Sequence, residues 1–312
     1  MTVGRVGVVQ PRAGAPSLAT YWRAILRDRF ALGALLFLIM MVTLALFEEV
    51  LAPRDPARQS LRARRLPPLS AAPEPNGAPY ILGSDALGRD ILSRIMYGAR
   101  ISLSVGFASV LLSGIVGTFL GLWAGYSRGW VDDVIMRLVD IQMGFPPLLL
   151  ALLVLYAAGP GFVNIILVLA IVRWPVYARV TRSIVLGLRE AMFVEAARVI
   201  GCRDSRIVFR HILPNLLSPI LVLATLDFAL VILTEAALDF LGLGIQAPQT
   251  SWGLMLAQGR EFLATAWWLV TIPGVVILLS TLSLNLLASW VRTITDPTLR
   301  WRWLAAQRGQ AA

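Results

Sequence analysis

Lysine is absent from this chain, and histidine and cysteine occur once each, as His211 and Cys202. Because all 28 basic residues are arginines, a Walker-type phosphate loop, a Schiff-base site and a Ser-Lys hydrolase each lack their lysine. One cysteine cannot form a disulfide within the chain, and one cysteine with one histidine makes a zinc or iron–sulfur centre implausible. We therefore expect no catalytic residues and no metal site.

Charged residues are also scarce. They make up 15% of the 312 residues, against 57% hydrophobic residues, and the mean hydropathy is +0.73. Soluble domains carry about a quarter charged residues, so this composition indicates a protein of the lipid bilayer. We expect no nucleic-acid partner for the net charge of +10.

Six stretches are apolar over the roughly 20 residues that a membrane-spanning helix needs. The first follows a tail with five arginines and lacks a small-residue cleavage site, so we expect an uncleaved anchor. Proline predicts a bend in the third, at Pro146 and Pro147, and a kink in the sixth, at Pro273. The predicted spans are residues 30–47, 101–126, 134–158, 162–177, 216–238 and 266–291.

The distribution of arginine predicts how these spans are oriented. With the N-terminus inside, 19 arginines fall in inside segments and nine in outside segments. Eight of those nine lie in the long first loop, where the rule is weaker, which leaves Arg260 alone outside. Both termini are therefore predicted to be cytoplasmic.

The first outside loop divides into two parts. Residues 53–79 are rich in Pro, Ala and Arg, which is typical of an extended and poorly ordered strap. Residues 83–100 predict a helix with Ser84 as its N-cap, lying on the lipid interface rather than forming a substrate site. Its expected i,i+4 pairs are Asp85 with Arg89 and Asp90 with Arg94.

Small residues recur at every fourth position of the second span. On one helical face they let another helix approach closely, which predicts tight packing and says little about function. They are Ser109, Ser113, Gly117, Gly121 and Gly125.

The loop between the fourth and fifth spans, residues 178–213, is basic and carries an apolar stripe. A helical run stops at Gly201, a natural left-handed C-cap, and Asp204 or Ser205 can cap a further piece that Pro214 ends. This pattern predicts two short helices across a glycine turn, against the alternative of a solvated linker. The stripe consists of Val185, Leu188, Met192, Val199 and Ile200.

This loop resembles the EAA loop of binding-protein-dependent ABC importer permeases. Residues 195–197 (EAA), Gly201 and residues 212–214 (ILP) stand at that family's spacing. Further segments resemble the dipeptide/oligopeptide/nickel branch, and the resemblance covers about residues 21–300. They are residues 83–90 (GSDALGRD), 97–100 (YGAR), 240–244 (FLGLG), 251–253 (SWG) and 296–300 (DPTLR).

The resemblance implies an all-α membrane protein with six transmembrane helices, the type I ABC importer (MetI-like) permease fold and cytoplasmic termini. The expected organisation is a cytoplasmic tail (1–29), a first transmembrane helix (30–50) and an extracytoplasmic loop with an interfacial helix (51–98). A five-helix permease core (99–293) then contains the EAA loop (178–213), and a second cytoplasmic tail (294–312) follows.

In function, the resemblance implies the permease subunit of an ATP-driven importer in the bacterial inner membrane. The implied partners are a second homologous permease forming a heterodimer, two cytoplasmic ABC ATPases and an extracytoplasmic binding protein. The expected cargo is di- or oligopeptides, with nickel or glutathione as alternatives. This chain is expected to bind no cofactor itself, and the partner ATPases bind ATP and Mg. The residues implied in ATPase coupling are Glu195, Ala196, Ala197 and Gly201, with Arg198, Arg203, Arg206 and Pro214 beside them.

Four carboxylates lie in or near the spans, where ionisable groups are functional candidates. Asp140 is expected to pair with Arg137 on its own helix, whereas Asp227 either lines the translocation path or pairs with an arginine of the partner permease. Glu235 and Asp239 are expected near the outer end, facing the binding protein or the cargo. Asp239 and Cys202 also depart from the branch, which usually carries small residues there.

Three other classes are weighed against this interpretation. A proton-coupled secondary transporter would use the buried carboxylates, but the sequence has no convincing inverted repeat and the EAA-like loop would be unexplained. A membrane enzyme lacks a nucleophile and base within reach of each other. An exporter half with a fused ATPase domain does not fit in 312 residues beside six spans.

Overall fold

The structure, a computed structural model, describes residues 25, 26, 28–73 and 77–295. The tails predicted at 1–29 and 294–312, with the segment 296–300, lie almost wholly outside these residues. Within the described ranges the chain is helical and forms no strand. The helices are α1 (Arg29–Leu46), α2 (Glu48–Leu51), α3 (Ile91–Ser127), α4 (Gly129–Met143), α5 (Pro147–Ala158), α6 (Phe162–Arg189), α7 (Met192–Val199), α8 (Asp204–Ile207), α9 (Leu213–Phe240), α10 (Trp252–Gly259) and α11 (Trp268–Thr295).

Five of the described helical stretches are long and apolar enough to cross a membrane. They are α1, α3, α6, α11 and the continuous helix Asp204–Phe240, in which the π-helical turn Val208–Ile212 joins α8 to α9. Together with the pair α4 and α5, they match the six predicted spans in order. The all-helical fold class is thus confirmed.

The third span is broken. α4 and α5 meet at 91° across residues 144–146, so the bend predicted at Pro146 is a change of direction between two helices. α4 starts where α3 ends, and α5 leads to Phe162, which lines one cavity with Tyr97 and Arg100 near the start of α3. The pair runs from one end of the bundle to the other, and counted as one crossing it brings the candidate spans to six.

Two helices extend well beyond the apolar stretches that predicted them. α6 continues past residue 177 to Arg189, and the helix containing α9 begins at Asp204 rather than at 216. Pro214 was expected to end a helix, but it lies in the first turn of α9, directly after the π-helical turn. That prediction is wrong, because the π-helical turn just before Pro214 lets the helix continue past the missing backbone donor.

The small residues of α3 pack against α6, as predicted. Ser109, Ser113, Gly117, Gly121 and Gly125 are all buried. A Cβ atom on Gly117 would collide with the carbonyl oxygen of Trp174, and one on Gly121 with that of Ala178. The two backbones therefore approach as closely as the absence of side chains allows.

The helix predicted over residues 83–100 is wrong in its first part. The helix begins at Ile91, where the Asp90 carboxylate caps it by accepting the backbone N–H of Ser93 (2.8 Å), and it continues into the second span. Residues 83–90 form a turn in which Ser84 and Asp85 are buried. An N-cap aspartate and a buried turn exclude a surface helix on the lipid interface.

The strap was predicted to be extended and poorly ordered, but its described part contains the 3-10 turn Leu61–Ala63 and is hydrogen-bonded along the turn of residues 83–90. The Ser60 N–H donates to the Leu87 carbonyl (3.1 Å), the Arg65 N–H to the Asp85 carbonyl (2.9 Å), and the Ser84 N–H to the carbonyl of Leu66 (3.0 Å). The described part of this loop is therefore one packed unit at the end of α3 opposite to α7.

Candidate coupling site and buried charges

The EAA segment forms the short helix α7, and Gly201 ends it as predicted. Gly201 has φ +80°, its N–H donates to the Arg198 carbonyl (2.9 Å), and the Cys202 N–H donates to the Ala197 carbonyl (3.0 Å). This pair of bonds is the Schellman motif, which needs a left-handed residue after the helix and is best formed by glycine. The turn after Gly201 sends the chain back into α8.

α7 has an inner and an outer face. Val194 and Ala197 are buried in an apolar cluster at the end of the bundle, with residues of α3, α6, α8 and α9. Glu195 and Ala196 are exposed on the other side. The helix is thus fixed to the bundle by its inner face and presents its outer face away from the protein.

Tyr126, at the end of α3, connects the loop to the transmembrane bundle. Its hydroxyl donates to the Asp204 carboxylate, and its carbonyl accepts from the Arg189 guanidinium. The Arg198 guanidinium lies 5.9 Å from the centroid of the Tyr126 ring. Asp204 is therefore held by Tyr126 and does not cap α8, whose N-cap is Arg203 without a side-chain bond. The capping role predicted for Asp204 or Ser205 is wrong, and no sequence pattern pointed to Tyr126.

The predicted apolar stripe divides between two surfaces. Val185 is fully buried and Leu188 is partly buried on α6, whereas Met192, Val199 and Ile200 are 85%, 86% and 79% exposed. The exposed three surround Glu195 and Ala196 with apolar surface. The candidate contact residues Arg203, Arg206 and Pro214 lie at the surface of the same region, and all three are exposed. A face of this composition is suited to a protein partner, because exposed apolar patches mark interaction sites.

The ion pairs of the exposed Asp140 and the buried Asp227 differ from those predicted. Asp140 bonds to Arg179 of α6, not to Arg137 of its own helix. Asp227 is fully buried and pairs with Arg173 of α6, so its partner is neither cargo nor a second permease. Sequence spacing cannot find such partners, since 39 residues separate the first pair and 54 the second.

Glu235 and Asp239 are buried rather than facing the outside. Glu235 accepts a hydrogen bond from the Ser102 hydroxyl (3.2 Å). Asp239 accepts the Ile245 N–H (2.6 Å) and the Ser251 hydroxyl, so it holds the turn between α9 and α10. Their expected contact with binding protein or cargo is wrong for this arrangement, because the two residues have almost no exposed surface.

The outer loop contains a charge cluster that the helical interpretation did not foresee. The Asp85 carboxylate accepts bonds from Arg89 (2.6 Å) and from the buried Arg94 (2.6 Å). Both arginines also donate to the side-chain oxygen of Gln258 on α10, at 3.0 and 2.9 Å. The predicted pair of Asp85 with Arg89 is therefore confirmed, whereas Arg94 pairs with Asp85 instead of Asp90.

Comparisons with known proteins agree with this geometry. The family described as "Binding-protein-dependent transport system inner membrane component" matches residues 117–301, and "N-terminal TM domain of oligopeptide transport permease C" matches residues 18–68. The chain is 43% identical to a di/tripeptide transport system permease protein of Pseudomonas aeruginosa, over 91% of this chain and 93% of that protein. It is 40% identical to a glutathione transport system permease protein of Pectobacterium atrosepticum, over 90% and 91%.

A solved structure shows the same fold. A chain of the inward-facing MetNI methionine ABC transporter matches with a TM-score of 0.52 and 17% identity, over 65% of this chain and 97% of that one. The predicted MetI-like fold is thereby confirmed, and so is the location in the inner membrane that the family description names. The relatives are named as permease proteins, in agreement with a transport subunit rather than an enzyme. The chain belongs to the family of inner membrane components of binding-protein-dependent transport systems.

Proposed function

We propose that this chain is one of two permease subunits of an ATP-driven importer and that α7 is the element through which ATPase subunits move it. The observation that carries this proposal is the two-sided attachment of α7. Its inner face is buried among four other helices, and its outer face exposes Glu195 and Ala196 within apolar surface.

Such an attachment suits the transmission of force. α6 and the helix Asp204–Phe240 enter and leave the loop without a break at the bundle end, so a push on α7 acts directly on two crossings. Rigid helices that move as bodies are a common means of switching between two states. A partner with a groove that accepts the outer face of α7 can therefore rotate α6 and α9 together.

The assembly that follows has this chain in a heterodimer with a homologous permease, with two cytoplasmic ABC ATPases and an extracytoplasmic binding protein. ATP and Mg belong to the ATPases, in keeping with the absence of lysine from this chain. The start of α1 and the end of α11 line one cleft, where Asp28 and Phe30 lie beside Ser289 and Trp290. Six crossings bring both chain ends to one side, and the arginine distribution favours the cytoplasm.

Di- or oligopeptides are the cargo we propose. The similarity to a di/tripeptide permease over nearly the whole chain supports it. Glutathione is the alternative, supported by the 40% identity to a glutathione permease, and it is itself a peptide. Nickel, which the sequence also left open, has no such support among these relatives. A proton-coupled transporter is disfavoured because Asp227, Glu235 and Asp239 all bond within the protein.

The experiment is ATP-driven dipeptide uptake by proteoliposomes that contain the complete transporter. We expect Gly201→Pro and Glu195→Arg to abolish uptake, the first by destroying the left-handed turn and the second by reversing a charge on the outer face of α7. Membrane insertion and co-purification with the second permease should be unchanged in both.

Glu49→Arg is the matched control for the charge reversal. Glu49 is exposed on α2, at the end of the bundle opposite to α7, so uptake by this variant should stay near the wild-type value. Wild-type uptake by Gly201→Pro and Glu195→Arg would refute the role of α7. Failure of wild-type transporter to take up any dipeptide, with glutathione uptake intact, would replace the cargo but not the mechanism.

A further inference from the structure

The ion pair between Arg173 and Asp227 lies deep within the bundle. Arg173 is 11 residues after the start of α6, and Asp227 is 13 residues before the end of α9. At 1.5 Å per residue these positions lie about 16 and 20 Å along their helices. The hydrocarbon core of a bilayer is about 30 Å thick, so both residues are near its middle.

The two charges of this pair are unequally covered. The Asp227 side chain is 0% exposed, whereas that of Arg173 is 20% exposed. Asp227 bonds to Nη2 of Arg173, and among the described residues the Nε atom is buried without a hydrogen-bond partner, so Asp227 engages only part of the guanidinium and Nε itself does not face the surface. An arginine at mid-depth is costly when it faces acyl chains. The exposed part of Arg173 therefore faces protein or water.

The break between α4 and α5 lies at the same depth. The Gln142 amide, two residues before the break, donates to the carbonyl of Ile171 (2.5 Å), and the Trp174 indole N–H donates to Gln142 (3.0 Å). These bonds place the break beside the turn of α6 that contains Arg173. Residues 144–146 are exposed in this chain. Non-helical backbone at membrane depth is tolerated only inside protein or along a water-filled cavity.

We propose that Arg173 lines the water-filled translocation path and binds the carboxylate of the passing peptide. This inference rests on the proposed peptide cargo. A guanidinium presents parallel N–H donors that match a carboxylate, and Arg173 retains donors that Asp227 does not use. Asp227 fixes the side chain and offsets part of its charge, which keeps the site weak enough to release the cargo. The path thus presents a cation at mid-depth, where the sequence had suggested the carboxylate of Asp227.

The first test compares uptake of a dipeptide with uptake of the same dipeptide amidated at its C-terminus, using the complete transporter in proteoliposomes. The variant is Arg173→Gln combined with Asp227→Asn, which leaves no unpaired buried charge. Dividing each rate by the wild-type rate removes the preference of the binding protein, which all samples share. We expect the relative uptake rate of the free acid to fall at least tenfold in the double variant and that of the amide less than threefold. Arg173→Lys should give a relative uptake rate of the free acid between those of the double variant and the wild type.

The second test measures whether position 173 meets water. In a Cys202→Ser background, Arg173→Cys with Asp227→Asn should react with a charged, membrane-impermeant thiosulfonate in at least one of two vesicle orientations. Ala151→Cys is the control, because Ala151 is fully buried and should not react.

Two results would overturn the inference. One is a double variant in which uptake of the free acid and of the amide falls equally, or in which neither falls. The pair of Arg173 and Asp227 would then be purely structural. The other is an unreactive thiol in the Arg173→Cys variant, which would place position 173 against protein. Failure of the wild-type transporter to take up dipeptides would instead refute the proposed cargo, and the labelling result would still report on the path.

Discussion

Replacing Gly121 by alanine should weaken the contact between α3 and α6. A Cβ atom there would lie 2.9 Å from the Cα atom of Ala178 and closer still to its carbonyl oxygen. These are backbone atoms of a long helix, so no side-chain rotation can relieve the collision. The two helices must separate along their small-residue contact.

The size of the change in the free energy of unfolding follows from two opposing effects. Overpacking a close contact costs about 1–3 kcal/mol, whereas Gly→Ala in a helix gains up to about 1 kcal/mol from backbone propensity. Gly33→Ala on α1 isolates the gain, because among the described residues nothing lies within 4 Å of its Cβ position. The free energy of unfolding should therefore differ between the two variants by the overpacking cost, about 1–3 kcal/mol.

The assay is reversible unfolding of the purified permease pair in mixed micelles by titration with sodium dodecyl sulfate. Gly114→Ala serves as a second control on the same helix, since its nearest neighbour would be a Tyr177 ring atom at 3.6 Å. Equal stability of Gly121→Ala and the two controls would refute the close-packing argument.

Three further predictions can be tested by the same titration of the free energy of unfolding. Asp239→Ala should lower the free energy of unfolding by about 1–3 kcal/mol, because the buried Ile245 N–H loses its acceptor. Asp239→Asn keeps an oxygen and should lower it less, and equal losses in the two variants would contradict this reasoning. Gln258→Leu should also lose about 1–3 kcal/mol by removing the oxygen shared by Arg89 and Arg94, with Gln258→Glu as the conservative control. Glu190→Gln should change the free energy of unfolding by at most about 1 kcal/mol, since both partners of its pair with Arg128 are exposed. A larger loss would contradict the weakness expected of a surface pair.

The crossings were predictable because hydropathy reports directly on the bilayer. The ends of the helices were not, since α6 and the helix before α9 continue into water, where hydropathy falls but backbone hydrogen bonding does not. Gly201 was predictable because a left-handed turn after a helix strongly favours glycine. The two faces of α7 were not, because which of Val194 and Val199 is buried depends on helices distant in sequence.

Charge pairing shows the same limit. Asp85 and Arg89 form the predicted ion pair, but they do so in a turn, and the helix begins only at Ile91. The i,i+4 spacing fits both a helix and this turn, so it predicted the pair correctly and the helix wrongly. Asp227 and Arg173 lie 54 residues apart, and only the packing of α6 against α9 brings them together. Local spacing cannot supply such partners.

The most direct measurement of the central claim is photo-cross-linking from two positions of this chain within the complete transporter. A photoreactive residue at Ala196, on the outer face of α7, should capture an ATPase subunit, and one at Leu87, in the outer loop, should capture the loaded binding protein instead. Capture of the binding protein from position 196, or of no ATPase there while position 87 cross-links, would contradict the proposed coupling element and its orientation.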